Sequence, residues 1–556
     1  MELSWFKKGT IYQIYPRSFN DSNNDGIGDL RGIIEKLDYL QKLNVDILWL
    51  SPIFSSPNDD NGYDISDYCS IMPEFGSMDD FDELLEKTHE KGMRLILDLV
   101  ANHCSDEHEW FEHAKKSKNS PYRDYFHWRK PSANGGPPNN WKSFFGGSAW
   151  EYDEASGEYY LHLFTRKQPD LNWENPKVRE EIYNAMRFWL DKGVDGFRMD
   201  VIPLISKREG YPDAPNVGFR KIIEDVYANG PTLHQYLKEM NEKVVSQYDA
   251  FSLAEGVGIN HDNAGLYINY DRKELDMLYH FDILECTIVN GKFEEVSPFD
   301  LVNMKRIFKK WRDAVHEKGW LANAMGNHDF ARMVSRFGND KEYWLESAKM
   351  LFIMQATQNG TLNIYQGDEI GMTNIKLNSI EEVKDVQSLN FYEENIETKK
   401  YSEEMALDMI NKEGRDNART PIQWSDEING GFSITEPWLR SNPNYNSINV
   451  RRQESDPNSI LNFYRDLLKV RKENDVFVYG DFEELEFENP NLYIYKKQFG
   501  KQRIIVALNF SEKDASFIME DKPSIEHIII NNYTELDVED NQICLQPYQG
   551  IIIRLD

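Results

Sequence analysis

Cysteine is scarce: four among 556 residues, at Cys69, Cys104, Cys286 and Cys544. They are far apart and form no CxxC pair, which excludes a disulfide framework and a thiolate zinc site. Basic residues are also short. Lys and Arg number 63 against 94 Asp and Glu, so the formal net charge is −31. Such a surface repels phosphate backbones and anionic lipid heads, which argues against nucleic acid and membrane as partners. Long apolar runs are missing as well: none reaches about 18 residues, the length a membrane helix needs. The opening MELSWFKKGTIYQIYP has no apolar h-region and no cleavage signal, so a cytoplasmic, reduced chain is the expectation. Repeats and low-complexity segments are absent too.

What the chain does have is apolar and aromatic mass: 40% hydrophobic and 13% aromatic residues. It can bury real cores. Trp and Tyr in loops also suit stacking on sugar rings, whose C–H faces are apolar. The length exceeds one ordinary core and suggests roughly two to four domains, one of them a large barrel.

Short β-rich runs recur at 11–19, 45–53, 93–103, 194–201, 250–256, 278–284, 321–329 and 361–369. Helix-like stretches lie between most of them, at 30–43, 77–92 and 175–193 for example; the last opens with Asn-Pro and closes with Lys-Gly. Strands alternating with helices predict βαβ units on a parallel sheet, and eight of them an α/β fold, a closed (β/α)8 TIM barrel. The spacing breaks once. Roughly seventy residues rich in Trp, Tyr, Gly, Asn and Pro follow His103, too many for a bare loop. They predict a small inserted domain after strand three, with SGEYYLHLF as a turn and a strand. After a helix at 459–474 the texture becomes alternating, which predicts a C-terminal antiparallel β domain. The expected division is 1–103 with 173–478 for the barrel, 104–172 for the insert and 479–556 for a C-terminal β-sandwich.

In such a barrel the C-terminal strand ends form the active face. Asp200 ends strand four, Glu255 strand five and Asp329 strand seven; His103 ends strand three, Arg198 precedes Asp200 by two, and His328 adjoins Asp329. Taken singly, a strand-end acid is more often a helix cap, Arg198 a structural ion pair, and Asn327-His328-Asp329 a turn. Together they put three carboxyls, a guanidinium and two imidazoles into one pocket. Crowded carboxylates cannot all ionise freely, so at least one pKa rises. A raised acid that donates a proton, beside a carboxylate held ionised by Arg198, is the division of labour that glycoside hydrolysis needs.

Five ordered stretches then resemble a known family. DLVANH (98–103), QPDLN (168–172), GFRMD (196–200), LAEG (253–256) and GNHD (326–329) look like the signature regions of glycoside hydrolase family 13, the α-amylase family. The resemblance covers essentially the whole chain. QPDLN, GYDISDY (62–68) and RDNARTPIQW (415–424) are most similar to its oligo-1,6-glucosidase branch, which includes α-glucosidases, dextran glucosidase and sucrose isomerases. It implies Asp200 as nucleophile, Glu255 as general acid and then base, and Asp329 as the clamp on the sugar's 2- and 3-hydroxyls. It implies that Arg198 keeps Asp200 ionised and that His103 and His328 bind glucose hydroxyls. Tyr63 would stack on the glucose ring, and Asp60 with Arg415 would bind the non-reducing end and make the enzyme exo-acting. Phe145 and Phe164 from the insert supply a pocket wall or a small core. The two reacting carboxyls are expected about 5–5.5 Å apart, with retention of configuration.

Val201 after the nucleophile resembles enzymes that prefer α-1,6 links, with a plain strand residue as the bland alternative. Gly256-Val257, Phe330-Ala331 and Asp368 in YQGDE depart from the branch pattern and put the partner sugar in question. Isomaltose-type oligosaccharides lead. Sucrose, its isomers such as trehalulose, and a sucrose isomerase or transglucosylase are the competitors; no arginine-rich isomerase loop is present. A distant alternative is a non-catalytic scaffold like the amino-acid transporter heavy chains, which carry a membrane anchor. The expected partner is a small oligosaccharide or disaccharide, and a monomer and a homodimer are equally open. No organic cofactor is expected.

One loop reads differently. DSNNDGIGDL (21–30) has most of an EF-hand calcium pattern, with Asp21, Asn23, Asp25, Gly26 and Asp29, but Gly32 stands where a bidentate Glu should close the cage. By residues alone it is a sensor, a structural ion site or an empty polar turn. Its position between a strand and a helix removes the sensor reading. The family resemblance implies one structural Ca²⁺, or Mg²⁺, held by side-chain oxygens of Asp21, Asn23, Asp25 and Asp29, the Ile27 carbonyl and waters.

Overall fold

The computed structural model describes residues 4–288, 296–519 and 527–555. Eight parallel strands form the central sheet: β1 (Thr10–Ile14), β2 (Ile47–Leu50), β3 (Arg94–Val100), β4 (Gly196–Asp200), β5 (Phe251–Gly256), β6 (Met277–His280), β7 (Ala322–Ala324) and β8 (Thr361–Tyr365). Their order is β6-β5-β4-β3-β2-β1-β8-β7. A single parallel bridge between Leu278 and Leu321 joins β6 to the chain entering β7 and closes the barrel. Nearly every strand residue is buried, as expected where helices cover the outer face and side chains fill the inside. Charged residues inside this core therefore stand out, and Asp98, Arg198 and Glu255 are among them.

The helices carry the start and stop signals of their sequence. Pro176–Lys192 has Asn175 capping Lys177 N, Pro at its start and Gly193 in the left-handed conformation (φ +108°) at its end. Met78–Glu90 opens with a reciprocal Ser77–Asp80 capping box. The stretch 30–43 is two helices rather than one, Leu30–Glu35 and Leu37–Lys42, broken at Lys36. The run 278–284 is also split: β6 stops at His280, and Phe281–Leu284 is helical. A strand in a barrel ends at the rim, whatever the β propensity of the residues beyond it.

Between β3 and Pro176 the chain builds a three-stranded antiparallel sheet, Trp128–Arg129, Glu158–Leu161 and Trp150–Asp153, with Glu158–Leu161 central. Backbone bridges His103–Asp170 and Phe126–Leu171 sew its two ends together at the rim. The buried Lys207–Asp170 ion pair, 2.6 Å, anchors them to the segment after β4. The insert thus brings its aromatic side chains over the strand ends. After the helix Ile460–Glu473, a five-stranded antiparallel sheet (Asp481–Leu485, Leu492–Phe499, Gln502–Asn509, Gly550–Arg554, Ile528–Asn531) faces a three-stranded one. Ile494, Ile505, Phe517, Ile543 and Ile551 share the core between them, the arrangement of a sandwich.

No helix among the described residues is long and apolar enough to cross a membrane. The four cysteines are free, and Cys69 is exposed.

Candidate active site

A cavity of about 180 Å³ opens at the C-terminal ends of the strands. Asp200, Glu255, Asp329, Asp60, Tyr63, His103, Phe145, Phe164, Val201, His328 and Arg415 all line it. Of the expected sugar-site residues only Arg198 does not, because it lies directly beneath. A larger cavity, about 440 Å³, lies between β7, the helix Leu301–Val315 and Tyr479, Phe482 and Phe499 of the C-terminal region, and contains none of them.

Arg198 is fully buried on β4 and organises the floor. Its Nη1 donates to Asp98 Oδ1 and Asp200 Oδ1, each at 2.7 Å, and its Nη2 lies 2.6 Å from Glu255 Oε1. The Tyr279 hydroxyl accepts from the same guanidinium at 2.9 Å and donates to Glu255 Oε1 at 3.1 Å. Three carboxyls thus share one guanidinium in a dry site. Burial pushes Asp98 up to about 6 against the pull of Arg198, and burial pushes Asp200 up against the same pull. Asp98 and Asp200 are thus both raised, the direction expected of buried carboxyls crowded together. The expected pairing of Arg198 with Asp200 is present, but the guanidinium serves Asp98 and Glu255 as well.

Val201 has φ 35° and ψ 35°, a left-handed backbone that a β-branched residue rarely adopts. It is therefore not a strand residue. The twist aims its N–H at Glu255 Oε2, 2.9 Å away, and so fixes the second oxygen of that carboxyl.

The other half of the pocket is a charge lattice. His103 and Asp329 do not end their strands: they lie three residues past β3 and five past β7. Asp329 Oδ1 sits 3.0 Å from Arg419 Nη2 and 3.3 Å from Arg415 Nη1. Arg415 also reaches Asp60 Oδ1 at 3.2 Å and Asp385 Oδ1 at 2.6 Å. Burial pushes Asp329 up, but His328, Arg415 and Arg419 outweigh it and hold the carboxyl well below its ordinary range. Burial pushes His328 down to about 3 and His103 down to about 4. Both are neutral imidazoles at pH 7, so at that pH the two arginines supply the charge beside Asp329. Gln13 Nε2 lies 2.8 Å from His328 Nδ1, which leaves Nε2 to donate to the Tyr63 hydroxyl at 2.6 Å. Tyr63 in turn donates to Asp98 Oδ2 at 3.1 Å. Gln168, from the insert, lies 3.2 Å from His103 Nε2 and donates to Asp60 Oδ2 at 3.3 Å. Phe164 packs on His103 and on Phe145, and Arg415 stands over the Phe145 ring at 4.8 Å. The two phenylalanines are wall and local core at once.

Six polar residues of this site were not singled out in the sequence: Gln13, Asp98, Gln168, Tyr279, Asp385 and Arg419. Asp98 sits inside DLVANH and Arg419 four residues after Arg415, so both had a usable signal. Tyr279 and Asp385 had none. Asp368 does not line the pocket; it and Glu369 belong to a buried cluster with Tyr12 and Tyr39.

The 21–30 loop is remote from this pocket, and none of its residues lines it. Asp29 caps Leu30–Glu35 through Gly32 N at 2.6 Å and accepts from Ser22 N at 2.9 Å. Asp21 accepts from Asn24 N at 2.7 Å and Gly26 N at 2.8 Å, and Asp25 from Ile27 N at 2.9 Å. Gly26 (φ +91°) brings the loop onto the Glu436 carbonyl, 2.3 Å from where a Cβ would stand. Among the described residues no three acidic, imidazole or thiol side chains gather closely enough to hold a metal by themselves. The donors are all hard oxygens, however, and none of the three carboxylates of the loop has a Lys or Arg partner among the described residues. The set therefore fits a hard cation only if the Asn23 amide, the Ile27 carbonyl or water completes the shell.

Comparison with known proteins agrees with this geometry. The family model "Alpha amylase, catalytic domain" matches residues 13–480. The chain is 48% identical over 560 residues to the Oligo-1,6-glucosidase of Parageobacillus thermoglucosidasius, covering all of both chains. It is 44% identical to the Trehalose-6-phosphate hydrolase of Bacillus subtilis, over 100% of this chain and 99% of the other. Among solved structures, the trehalulose synthase of Pseudomonas mesoacidophila MX-45 superposes with a TM-score of 0.96 at 42% identity, over 99% of each chain. Three carboxyls gathered on one buried guanidinium at the rim of a (β/α)8 barrel, and a match along the whole length, lead to one conclusion: this chain is a glycoside hydrolase and belongs to the α-amylase family.

Proposed function

We propose that the pocket removes single glucose units from the non-reducing end of short α-glucosides, with retention and with α-1,6 isomaltose-type links favoured. The observation that carries this reading is the Asp60–Arg415–Asp385 lattice beside Asp329. It walls the pocket, so a chain end enters and a chain middle does not. Asp200 attacks the anomeric carbon while Glu255 donates a proton to the glycosidic oxygen. Arg198 stabilises the carboxylate that remains. Asp329, held ionised, faces the positive charge that develops on the sugar ring and grips its hydroxyls. Glu255 then takes a proton from water, which releases glucose from the ester on Asp200. His103, His328 and Tyr63 orient the ring. The linkage preference is supported by Val201 beside the nucleophile and by the names of the most similar relatives.

A second reading, action on sucrose or trehalulose or their interconversion, is favoured by one observation. Val257, Phe281 and Phe330 make the wall past the acids apolar, a surface on which the C–H face of a fructose ring can lie as well as that of glucose. Glucose release from isomaltose, maltose, sucrose, trehalulose, kojibiose and nigerose separates the two. Preferred cleavage of isomaltose supports the first. Conversion of sucrose chiefly to isomaltulose or trehalulose, with little free glucose, refutes it.

The loop at Asp21, Asn23, Asp25, Ile27 and Asp29 holds, in this reading, a structural Ca²⁺ or Mg²⁺ with no part in the chemistry. Its support is three carboxylates without a basic partner. A reducing, cytoplasmic setting is supported by the four free cysteines. Among the described residues, every group named in this reading comes from one chain, and the reading fits a monomer and a homodimer alike.

A further inference from the structure

One charged side chain behind the apolar wall has no part in the chemistry above. The segment after β4 returns to the pocket as a helical turn, Phe219–Ile222, which runs into a π-helical turn, Ile223–Tyr227. Ala228 N closes the second turn by donating to Ile223 O at 2.8 Å. Turns of that kind are rare and recur at functional sites. Phe219 and Ile223, four residues apart and so on one face, line the pocket together with Phe281, Glu285 and Ile288, which follow β6. The far end of the stretch is fixed to the insert: the Tyr227 hydroxyl accepts from Lys142 N and donates to Lys142 O, each at 2.9 Å. The near end has no such anchor in a core. No residue of Phe219–Ile222 is buried, so apolar packing does not set its position.

Arg220 ties that end to the segment after β6. Its Nη2 donates to Asp282 Oδ1, its Nη1 lies 3.6 Å from Glu285 Oε2, and its Nε lies 3.7 Å from Glu224 Oε1. Asp282 is itself pinned, because its Oδ2 accepts from the indole of Trp311 at 2.6 Å. Trp311 is buried on the helix Leu301–Val315. A chain of contacts thus runs from that helix through Trp311 and Asp282 to Arg220, and so to Phe219 beside it. Burial pushes the Glu285 carboxyl up, and Arg220 draws it back. Arg220 does not line the pocket. It acts from behind, on two pocket walls that come from different loops.

On the proposed α-glucosidase reading, we infer that Arg220 is a positioning residue for the leaving sugar: by clasping Phe219–Ile222 to Asp282 and Glu285 it sets the spacing of the two walls that receive the second ring, and it leaves the grip on glucose untouched. Wild type, Arg220→Lys and Arg220→Met are compared on two substrates. One is isomaltose or sucrose, whichever the wild type cleaves faster. The other is α-glucosyl fluoride, whose leaving group has no ring and needs only the glucose side. Arg220→Met lowers the disaccharide-to-fluoride ratio of kcat/KM about tenfold, while kcat/KM on the fluoride stays within about twofold of wild type. Arg220→Lys keeps the charge but not the fork, and it lowers the ratio about threefold. An unchanged ratio in both variants overturns the inference. Equal losses on the two substrates also overturn it, because they mark a general distortion of the site. A wild type inactive on both substrates is instead a failure of the α-glucosidase reading, whereas a wild type active on both with unchanged variant ratios fails this inference alone.

Discussion

The two sides of the pocket are built by different physics. The glucose side is a lattice of ion pairs and hydrogen bonds in which Arg415, Arg419, Asp60, Asp329, Asp385, His328 and Tyr63 each hold at least one other member. The aglycone side is packing: Val201, Val257, Phe281 and Phe330, with Glu285 and Glu413 at its end. Charge lattices tolerate little. Removing one partner strands a buried charge, and Arg and Lys do not exchange. Apolar walls tolerate replacement of similar volume. A fold of this kind can therefore keep its grip on glucose and change what glucose is attached to.

The steepest test lies on the floor that both sides share. Asp200→Asn is expected to lower kcat at least about 10⁴-fold with the melting temperature nearly unchanged. Turnover near the wild-type rate would falsify the nucleophile assignment. On the glucose side, Arg415→Lys removes the fork that serves three carboxylates. Steady-state kinetics should show kcat/KM on isomaltose about 100-fold lower, whatever the aglycone. On the aglycone side, Val201→Thr keeps the branched shape and replaces one methyl with a hydroxyl. Its expected effect is a change of about five-fold in the maltose-to-isomaltose ratio of kcat/KM, with total activity retained. If Arg415→Lys shifted that ratio and Val201→Thr did not, the division between the two sides would be wrong.

A smaller effect concerns stability and pH. His328 has its imidazole at about 3 when folded, below the ordinary value of 6.5. Between those values the unfolded chain binds a proton that the native one does not, so this residue costs stability as pH falls. His328→Asn removes the cost. Denaturant unfolding should show the stability gap, wild type minus variant, shrinking from pH 6.5 toward pH 4 by up to about 1.4 kcal/mol per pH unit. A pH-independent gap would show that His328 is not buried neutral. Last, chelator should lower the melting temperature by about 5 °C without changing the preference among substrates, because the 21–30 loop touches neither side of the pocket. No shift would leave the loop a self-satisfied turn.

Much of the glucose side was legible in the sequence. Its acids and histidines stand at or just past strand ends, and the order of strands along the chain is also their order around most of the barrel. Arg415 and Asp60 needed the family resemblance, since nothing in an Asn/Asp/Gly cluster distinguishes a ligand from a turn. The aglycone side was visible only as departures, Val257 and Phe330, with no sign of what they faced. Glu285 lay in the stretch after 278–284, whose strand reading was too long, and Glu413 at the end of the helix Glu403–Glu413, far from any motif.

The sequence by itself determined the barrel, the insert after β3, the C-terminal sheets and the three acids, because hydrophobic period, helix caps and strand-end position are local properties of the chain. Tertiary structure alone decided that Arg198 is shared among three carboxyls, that Asp98, Tyr279 and Asp385 join the site, and that Val201 turns its backbone N–H to Glu255. Those facts depend on where strands and loops distant in sequence meet, and on a backbone conformation that Val would not choose alone. Burial then fixed what no residue list contains: which imidazoles stay neutral and which carboxyls are pushed up.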